Sequence, residues 1–317
     1  MSNPTSGAPD MGHPGVEQEV ERVVAVDWSG DRSDAGQRKK IWAGVWTAEA
    51  GGGVSAGRVE LENRRTRIEL VDWLIKMKTE TPRMVVGVDF CFSYPAWFVE
   101  ECGAKTAAEF WAVVQRHGEG WLGRECADAR FWGRRGARRD GRKPVEFCGD
   151  LGHRMLRRAD EACKVRAKIL DPGQAAKVKG IAPKSPFQIG GAGAGGTGTL
   201  RGIPELFRLR AAGFRVWPFD VPALPLLVEI YPRLMTGAVH KGRGEARTDY
   251  LAKKRLEDGA YRSLEEEVLA KARRSEDAFD ALVSAMAMAR HRADFLSLRQ
   301  ARDRTTRLEG AVWGAGV

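Results

Sequence analysis

Three short apolar runs in this chain carry an acidic residue at or near their end, and this pattern limits what the chain can fold into. The runs are Val23–Asp27, Val85–Asp89 and Leu226–Ile230. Their length and content of β-branched residues are typical of strands that are covered on both faces of a sheet. A fourth acidic segment has the pattern of a helix, which places Asp277 and Asp280 three positions apart on one helical face.

A carboxylate at the end of a buried strand is costly to remove from water unless a positive charge meets it. Several such acids in one chain are explained most economically by a divalent metal site, and hard oxygen ligands favour Mg²⁺ or Mn²⁺. The candidate catalytic residues are Asp27, Asp89, Glu229, Asp277 and Asp280. All of them except Glu229 are candidate metal ligands.

Length and charge limit the classes of function that this chain can have. The chain has 317 residues, 43% of them hydrophobic, and a formal net charge of +10. That balance favours polyanionic partners. No apolar run approaches the ~20 residues of a membrane span. Residues 1–20 are predicted to be a disordered tail without a signal-peptide core, so a cytoplasmic location is expected.

Cysteine usage indicates ordinary reduced thiols. The five cysteines are dispersed and none forms a C-x-x-C pair, which argues against a disulfide framework and a tetrahedral zinc site. A shared metal at Cys148, His153 and Cys163 is the weaker reading, because zinc motifs keep their ligands in close pairs.

The order of predicted elements indicates one α/β core with a long insertion. Three strands, a helix beginning after Thr66 and a fourth strand precede residue 90, and a strand and charged helices follow residue 225. We therefore predict a core formed by residues 21–90 and 225–317, interrupted by a mostly helical or irregular insertion at 91–224.

Four motifs give this pattern a resemblance to a known family. They are Val26–Gly30 (Val-Asp-Trp-Ser-Gly), Gly87–Phe90 (Gly-Val-Asp-Phe), Val228–Pro232 (Val-Glu-Ile-Tyr-Pro) and Glu276–Ala281 (Glu-Asp-Ala-Phe-Asp-Ala). Together they resemble an uncharacterised family of predicted RNase H-like nucleases, of the resolvase-type branch. The resemblance implies a mixed central sheet flanked by helices, with acids on two strands and on the last helix gathered around metal.

Each acid also has a structural alternative. Asp27 could cap the turn that follows its strand, and Asp277 could stabilise a helix N-terminus. Glu229 could pair with Arg233. In the nuclease reading, Asp27 is the shared ligand of two ions that lie roughly 4 Å apart, one activating water and the other stabilising the leaving oxygen.

Two further segments are candidates for phosphate contacts. Residues 124–143 hold eight basic residues with interleaved aromatics, and the nucleic-acid-binding candidates within them are Arg134, Arg135, Arg138 and Arg139. The alternative is a solvated surface loop. The Gly-rich segment 190–202 is predicted to be a loop leading into a helix at Pro204, with Arg201 beside that helix N-terminus. The alternative is that the Gly-rich segment is only a flexible connector.

The sequence thus predicts a Mg²⁺- or Mn²⁺-dependent nuclease. Two alternatives stay open: an ATP-dependent phosphotransferase of the actin and sugar-kinase type, and a nucleic-acid-binding module without catalysis. His240 and Lys241, after the last predicted strand, could assist proton transfer, although a lone surface histidine usually does not. DNA or RNA as substrate, and the oligomeric state, are left undetermined by the sequence.

Overall fold

The computed structural model describes residues 19–49, 57–123, 125–133, 142–170, 183–191 and 194–315. Within them a mixed six-stranded sheet forms the centre, in the order β3-β2-β1-β4-β6-β5. The strands are β1 (Arg22–Asp27), β2 (Trp42–Ala48), β3 (Gly57–Glu62), β4 (Met84–Val88), β5 (Arg215–Val216) and β6 (Leu226–Glu229). Strands β1, β4, β6 and β5 run parallel, whereas β2 is antiparallel to both of its neighbours.

Helices cover both faces of this sheet. They are α1 (Asp34–Lys40), α2 (Arg67–Glu80), α3 (Ala96–Glu101), α4 (Ala107–Leu122), α5 (Arg158–Leu170), α6 (Gly196–Ala211), α7 (Arg233–Thr236), α8 (Gly244–Glu257), α9 (Gly259–Arg262), α10 (Glu266–Arg274), α11 (Glu276–Arg290), α12 (Asp294–Ser297) and α13 (Arg304–Glu309). Two short 3₁₀ segments precede α5. The prediction of a mixed sheet flanked by helices is confirmed.

Alternation along β1 divides the core into two layers. Val24 and Val26 belong to one apolar cluster, with residues of α2, α4 and α6, while Val23 and Ala25 belong to a second, with residues of α8, α10 and α11. We call these sides of the sheet the α6 face and the α11 face. Successive side chains of a strand point to opposite faces, so the position of any strand residue fixes the layer that it enters.

Helix α11 lies very close to the sheet because glycine leaves room for it. A Cβ placed on Gly44 of β2 would lie 2.5 Å from the carbonyl oxygen of Ala281, a separation that real Cβ atoms essentially never show. Gly44 pairs with Ala25 of β1. The small residues at these two positions therefore set the height of α11 above the middle strands.

The insertion is part of the same core. Its helices α4 and α6 pack against one another and against the α6 face, and its strand β5 extends the sheet beside β6. Residues 1–18 of the predicted tail lie outside the described residues, and Val20 within that prediction is buried in the core. The predicted tail, residues 1–20, therefore overlaps the core at Val20.

The Gly-rich segment differs from the prediction of a loop up to Pro204. Helix α6 begins at Gly196 and contains Pro204. Close packing favours glycine here: a Cβ on Gly196 would lie 2.3 Å from the carbonyl oxygen of Pro186, and one on Gly202 would lie 2.7 Å from the ring of Phe90. These glycines let a helix approach the strand ends, which a loop reading of the same residues overlooks.

Among the described residues, none of the helices has the combination of length and apolar character that crossing a bilayer requires.

Candidate metal centre

Two predicted site residues lie at neighbouring strand ends and on one side of the sheet. Asp27 ends β1 on the α11 face, two positions after Ala25. Asp89 directly follows β4, and its backbone N–H donates to the Val26 carbonyl at 3.1 Å. Since adjacent parallel strands lie about 4.8 Å apart, the two carboxylates emerge side by side towards α11.

The N-terminus of α11 brings two more acids to the same place. Ser275 caps the helix, and its hydroxyl accepts a hydrogen bond from the Ala278 N–H at 3.2 Å. Asp277 lies in the first turn and is partly buried, whereas Asp280, one turn further on, is 1% exposed. Four of the five candidate acids, Asp27, Asp89, Asp277 and Asp280, therefore lie in one region of the described structure.

The pKa values of Asp27 and Asp89 are raised by burial and by the charges of other acids in the cluster. Burial raises the pKa of Asp27 well above its ordinary range, and the charges of Asp280, Asp89 and Asp277 raise it further. Burial also raises the pKa of Asp89 to about 7, with Lys241 opposing that rise. Like charges raise one another's pKa where burial leaves little water to screen them, so the four acids share one poorly solvated region. Without a cation, the cluster is electrostatically unfavourable.

Lys241 supplies one positive charge to this cluster. Its ammonium group forms an ion pair with Oδ2 of Asp280 and lies 3.6 Å from Oε1 of Glu276. Burial lowers the pKa of Lys241, but the charges of Asp280 and Asp27 outweigh burial and leave that pKa above its ordinary value. The other oxygen of Asp280, Oδ1, is buried and accepts no hydrogen bond from any described residue.

The donor set fits a hard divalent cation. Oxygen ligands from acidic side chains are those that Mg²⁺ and Mn²⁺ prefer, and a buried carboxylate oxygen without a partner is the kind of atom that a bound ion or its water satisfies. Among the described residues, no three of these four acids bring ligand oxygens within 4.8 Å of one another. Two carboxylates completed by water are the arrangement that Mg²⁺ commonly accepts.

Glu229 lies on the other side of the sheet. It is paired with Val88 across β4 and β6, so it shares the α6 face with Leu227. Its carboxylate accepts from Arg157 through two contacts, Nη2–Oε1 at 2.5 Å and Nη1–Oε2 at 2.8 Å, and from the Phe92 N–H at 2.9 Å. The ion-pair partner is thus Arg157 and not Arg233, the partner considered from sequence.

A second group with ligand-like spacing surrounds this ion pair. Within the described residues, ligand atoms of Cys91, Asp160 and Glu229 lie within 4.8 Å of one another. Arg157, 0% exposed, already provides the cation, because it also contacts Asp160 at 2.8 Å. The group therefore forms a buried ion network, in which a bound metal would have to compete with a fixed guanidinium.

The predicted phosphate-binding residues have different outcomes. Arg134, Arg135, Arg138 and Arg139 lie outside the described residues. Arg201 lies close to the turn after β1, where it donates to the Gly30 carbonyl at 2.6 Å and forms a two-pronged ion pair with Glu119 at 2.6 and 2.9 Å. Its guanidinium is therefore already engaged by protein groups.

Other basic side chains surround the turn beside Asp27. Arg67 donates to the carbonyls of Ser29 and Asp31, at 3.0 and 2.7 Å. Lys40 pairs with Asp31 at 2.7 Å, and its charge lowers the raised pKa of Asp277. Arg32 is exposed in the same turn. Of these three cations, Lys40 is the one whose charge acts on an acid of the cluster, and none of the three was a candidate site residue from the sequence.

Sequence reasoning also missed Arg157 and gave Lys241 little weight. The available signal for Arg157 was Asp160 three positions later, a spacing that pairs opposite charges on a helix. No comparable signal marks Lys241, because its partner Asp280 is 39 residues away. No family model, curated protein or solved structure matches this chain.

Proposed function

We propose that the protein is a divalent-metal-dependent phosphodiesterase that hydrolyses nucleic acid at the cluster of Asp27, Asp89, Asp277 and Asp280. The observation that carries this proposal is the convergence of four carboxylates, one of which is 1% exposed and keeps an oxygen without a hydrogen-bond partner. Lys241 supplies only one positive charge to the four carboxylates, and a divalent ion is the simplest cation to neutralise the charge that remains.

We also propose that the core is RNase H-like. Support comes from the order β3-β2-β1-β4-β6, in which β2 alone runs antiparallel, and from acids at the ends of β1 and β4. Helix α11 contributes the remaining acids, as the resemblance implies. A shared fold does not by itself determine an activity, so the proposed function rests on the residues of the site.

In this reading each residue has a defined task. Asp27 and Asp89 would hold the ion at two fixed strand ends, and the charge of Asp277 acts on Asp27 from the N-terminus of α11. The bound ion would activate water and reduce the negative charge of the reacting phosphate. Lys40, whose charge acts on Asp277, would attract the phosphate backbone of the substrate. We assign Glu229 a structural task, because Arg157 holds its carboxylate on the opposite face.

Nucleic acid is the proposed substrate because its phosphates suit two features of the protein. One is the net positive charge of the chain, and the other is the acidic cluster, where a bound metal would contact phosphate oxygens. The chain carries a formal charge of +10, and its acids at the site are confined to a small cluster with basic neighbours. A polyanion can therefore approach the protein, and a metal can neutralise the acids that would otherwise repel it. The Arg134–Arg139 region, predicted from sequence, would extend this contact.

The test is a cleavage panel of single- and double-stranded DNA and RNA, assayed with Mg²⁺, with Mn²⁺ and with EDTA. Wild-type protein should cleave at least one substrate in a metal-dependent way, and Asp27→Asn should abolish that cleavage. Glu69→Gln is the matched control, because Glu69 caps α2 and pairs with Arg38 on the surface. Equal cleavage by Asp27→Asn and wild type would remove the cluster from catalysis.

A binding module without catalysis is the second candidate, and one observation favours it. The ion pair between Lys241 and Asp280 already neutralises part of the cluster. In that case the protein binds nucleic acid with EDTA present and cleaves nothing. The phosphotransferase alternative has less support, because the Gly-rich segment from Gly196 onward forms helix α6. An ATPase assay run beside the panel tests it.

A further inference from the structure

The backbone around Lys241 is fixed by the fold. The Lys241 N–H donates to the Val239 carbonyl at 2.8 Å, and the same carbonyl accepts from Arg233 Nη1 at 2.6 Å. The Lys241 carbonyl accepts from Arg247, a residue that is 6% exposed. Because hydrogen bonds hold both sides of this residue, its side chain enters the carboxylate cluster from a constrained position.

The charges that face Lys241 come from three elements. Asp280 of α11 pairs with it directly, and the charges of Asp27 at the end of β1 and Asp89 after β4 act on it as well. Glu276, also on α11, lies 3.6 Å away. The ammonium group is therefore a buried cation among these acids, with a side chain only 17% exposed, and the charge of Arg233 also acts on Asp280.

Hydrolysis by two ions requires one set of ligands to hold both ions roughly 4 Å apart. Here Oδ2 of Asp280 is already bound by Lys241. Among the described residues, no three acids of the cluster bring ligand oxygens within 4.8 Å of one another. A second ion at Oδ2 would have to displace a lysine that the fold holds in place, and one at Oδ1 would be repelled by the neighbouring ammonium charge, whereas a first ion needs only the two strand ends.

We propose that Lys241 is a resident cation that replaces the second ion, so that the cluster binds a single divalent ion through Asp27 and Asp89. The inference rests on the proposed function and makes it more specific. Oδ1 of Asp280, which has no partner among the described residues, would be available to a water of such an ion, since Mg²⁺ and Mn²⁺ sites commonly retain waters. Lys241 positions Asp280 for this contact and keeps positive charge beside the reacting phosphate.

The experiment is a titration of the full-length protein with Mn²⁺ by equilibrium dialysis, with binding confirmed by calorimetry. Wild-type protein should bind one Mn²⁺ per chain. Lys241→Met should bind two, because Asp280 then becomes free to join a second ion. Lys241→Arg should stay at one, since it keeps the charge. Lys253→Met is the matched control: this lysine is 73% exposed and lies 3.7 Å from Glu257.

The outcomes separate this inference from the proposed function. Two ions in the wild type would overturn the resident-cation inference and leave the metal site intact, whether or not Lys241→Met folds. One ion in both wild type and Lys241→Met would overturn it as well. No Mn²⁺ bound by wild type and by Lys241→Met would instead overturn the proposed metal-dependent activity.

Discussion

Arg157 joins Glu229 through both of its terminal nitrogens, at 2.5 and 2.8 Å, and this ion pair connects the insertion to the end of β6. Both side chains are almost completely buried, at 0% and 4% exposed. Asp160 binds the same guanidinium at 2.8 Å. The insertion is thereby held against the sheet on the face opposite the carboxylate cluster.

The first prediction concerns this buried ion network. Arg157→Met leaves Glu229 and Asp160 buried without their cation, which should lower the free energy of unfolding by about 3–5 kcal/mol. Urea denaturation followed by circular dichroism measures the loss. The control is Arg158→Ala, because the Arg158–Asp303 pair is 61% and 53% exposed and should contribute less than about 1 kcal/mol.

The second prediction is that removing one acid of the cluster stabilises the metal-free protein. Asp27→Asn relieves repulsion among Asp27, Asp89 and Asp280, so with EDTA it should raise the free energy of unfolding by about 0.5–2 kcal/mol. Mn²⁺ should raise the melting temperature of the wild type but not that of the variant, because a ligand stabilises only the folded state that binds it.

Thermal melting with EDTA and with excess Mn²⁺ gives both quantities. A variant that is less stable than wild type with EDTA would show that Asp27 has a structural role, such as capping the turn after β1. An equal Mn²⁺ shift in both proteins would place the ion elsewhere.

Several elements of the fold and site could be predicted from the sequence, because they depend on residues that are close together in the chain. The apolar runs of β1 and β4 predicted buried strands, and the spacing of Asp277 and Asp280 predicted one helical face. Thr66 caps α2 as predicted, with Glu69 completing a capping box. These features depend on neighbours in the chain, which is why a single sequence contains them.

The face of the sheet on which Glu229 lies could not be predicted from its apolar run alone. Strand alternation separates it from Asp89, because Val88 is its cross-strand partner and Asp89 is one residue beyond. A shift of one residue moves a side chain to the opposite face. The register between β4 and β6 is a long-range property, so the sequence alone grouped Glu229 with the other acids.

The third prediction is a pH dependence that Asp89 introduces. Its pKa is raised to about 7 by burial, compared with 3.8 in its ordinary state. Between these values the folded metal-free protein binds a proton that the unfolded chain does not, so stability should fall as pH rises. The slope from this group is at most about 1.4 kcal/mol per pH unit, and its contribution is constant above the folded pKa.

Denaturation of wild type and Asp89→Asn with EDTA, at intervals from pH 4.5 to pH 7.5, isolates this contribution as the difference between the two curves. The variant cannot titrate at this position, so the wild type should lose stability relative to it as pH rises. Parallel curves would show that Asp89 is ionised throughout the range. Saturating Mn²⁺ should reduce the difference, because the ion stabilises the ionised carboxylate.

The fourth prediction concerns the contact between α6 and the turn after Asp27. A Cβ on Gly30 would lie 2.5 Å from the Gly198 N atom, so Gly30→Ala should cost about 1–3 kcal/mol of stability. Gly198→Ala is the matched control on the facing residue, where a Cβ would lie 3.7 Å from Trp28. Alanine there should be tolerated or gain up to about 1 kcal/mol from helix propensity.

If α6 supports the site, Gly30→Ala should also reduce turnover by more than its loss of folded protein explains, while Gly198→Ala keeps normal turnover. Activity is measured per folded molecule, at a temperature well below both melting points. Equal stability of the two variants would mean that the close approach of α6 to Gly30 is not required.

The fifth prediction tests the basic segment that the sequence indicates and that lies outside the described residues. If Arg134, Arg135, Arg138 and Arg139 contact phosphates, nucleic-acid affinity should fall with salt by a log–log slope of roughly −0.7 to −0.9 per phosphate neutralised. Changing all four to alanine should flatten that slope. Asp27→Asn, measured with EDTA, is the control that alters the metal site and leaves these arginines in place, so its slope should match wild type. An unchanged slope in the fourfold variant would assign phosphate binding to other cations, of which Lys40, whose charge acts on Asp277, is the first to replace.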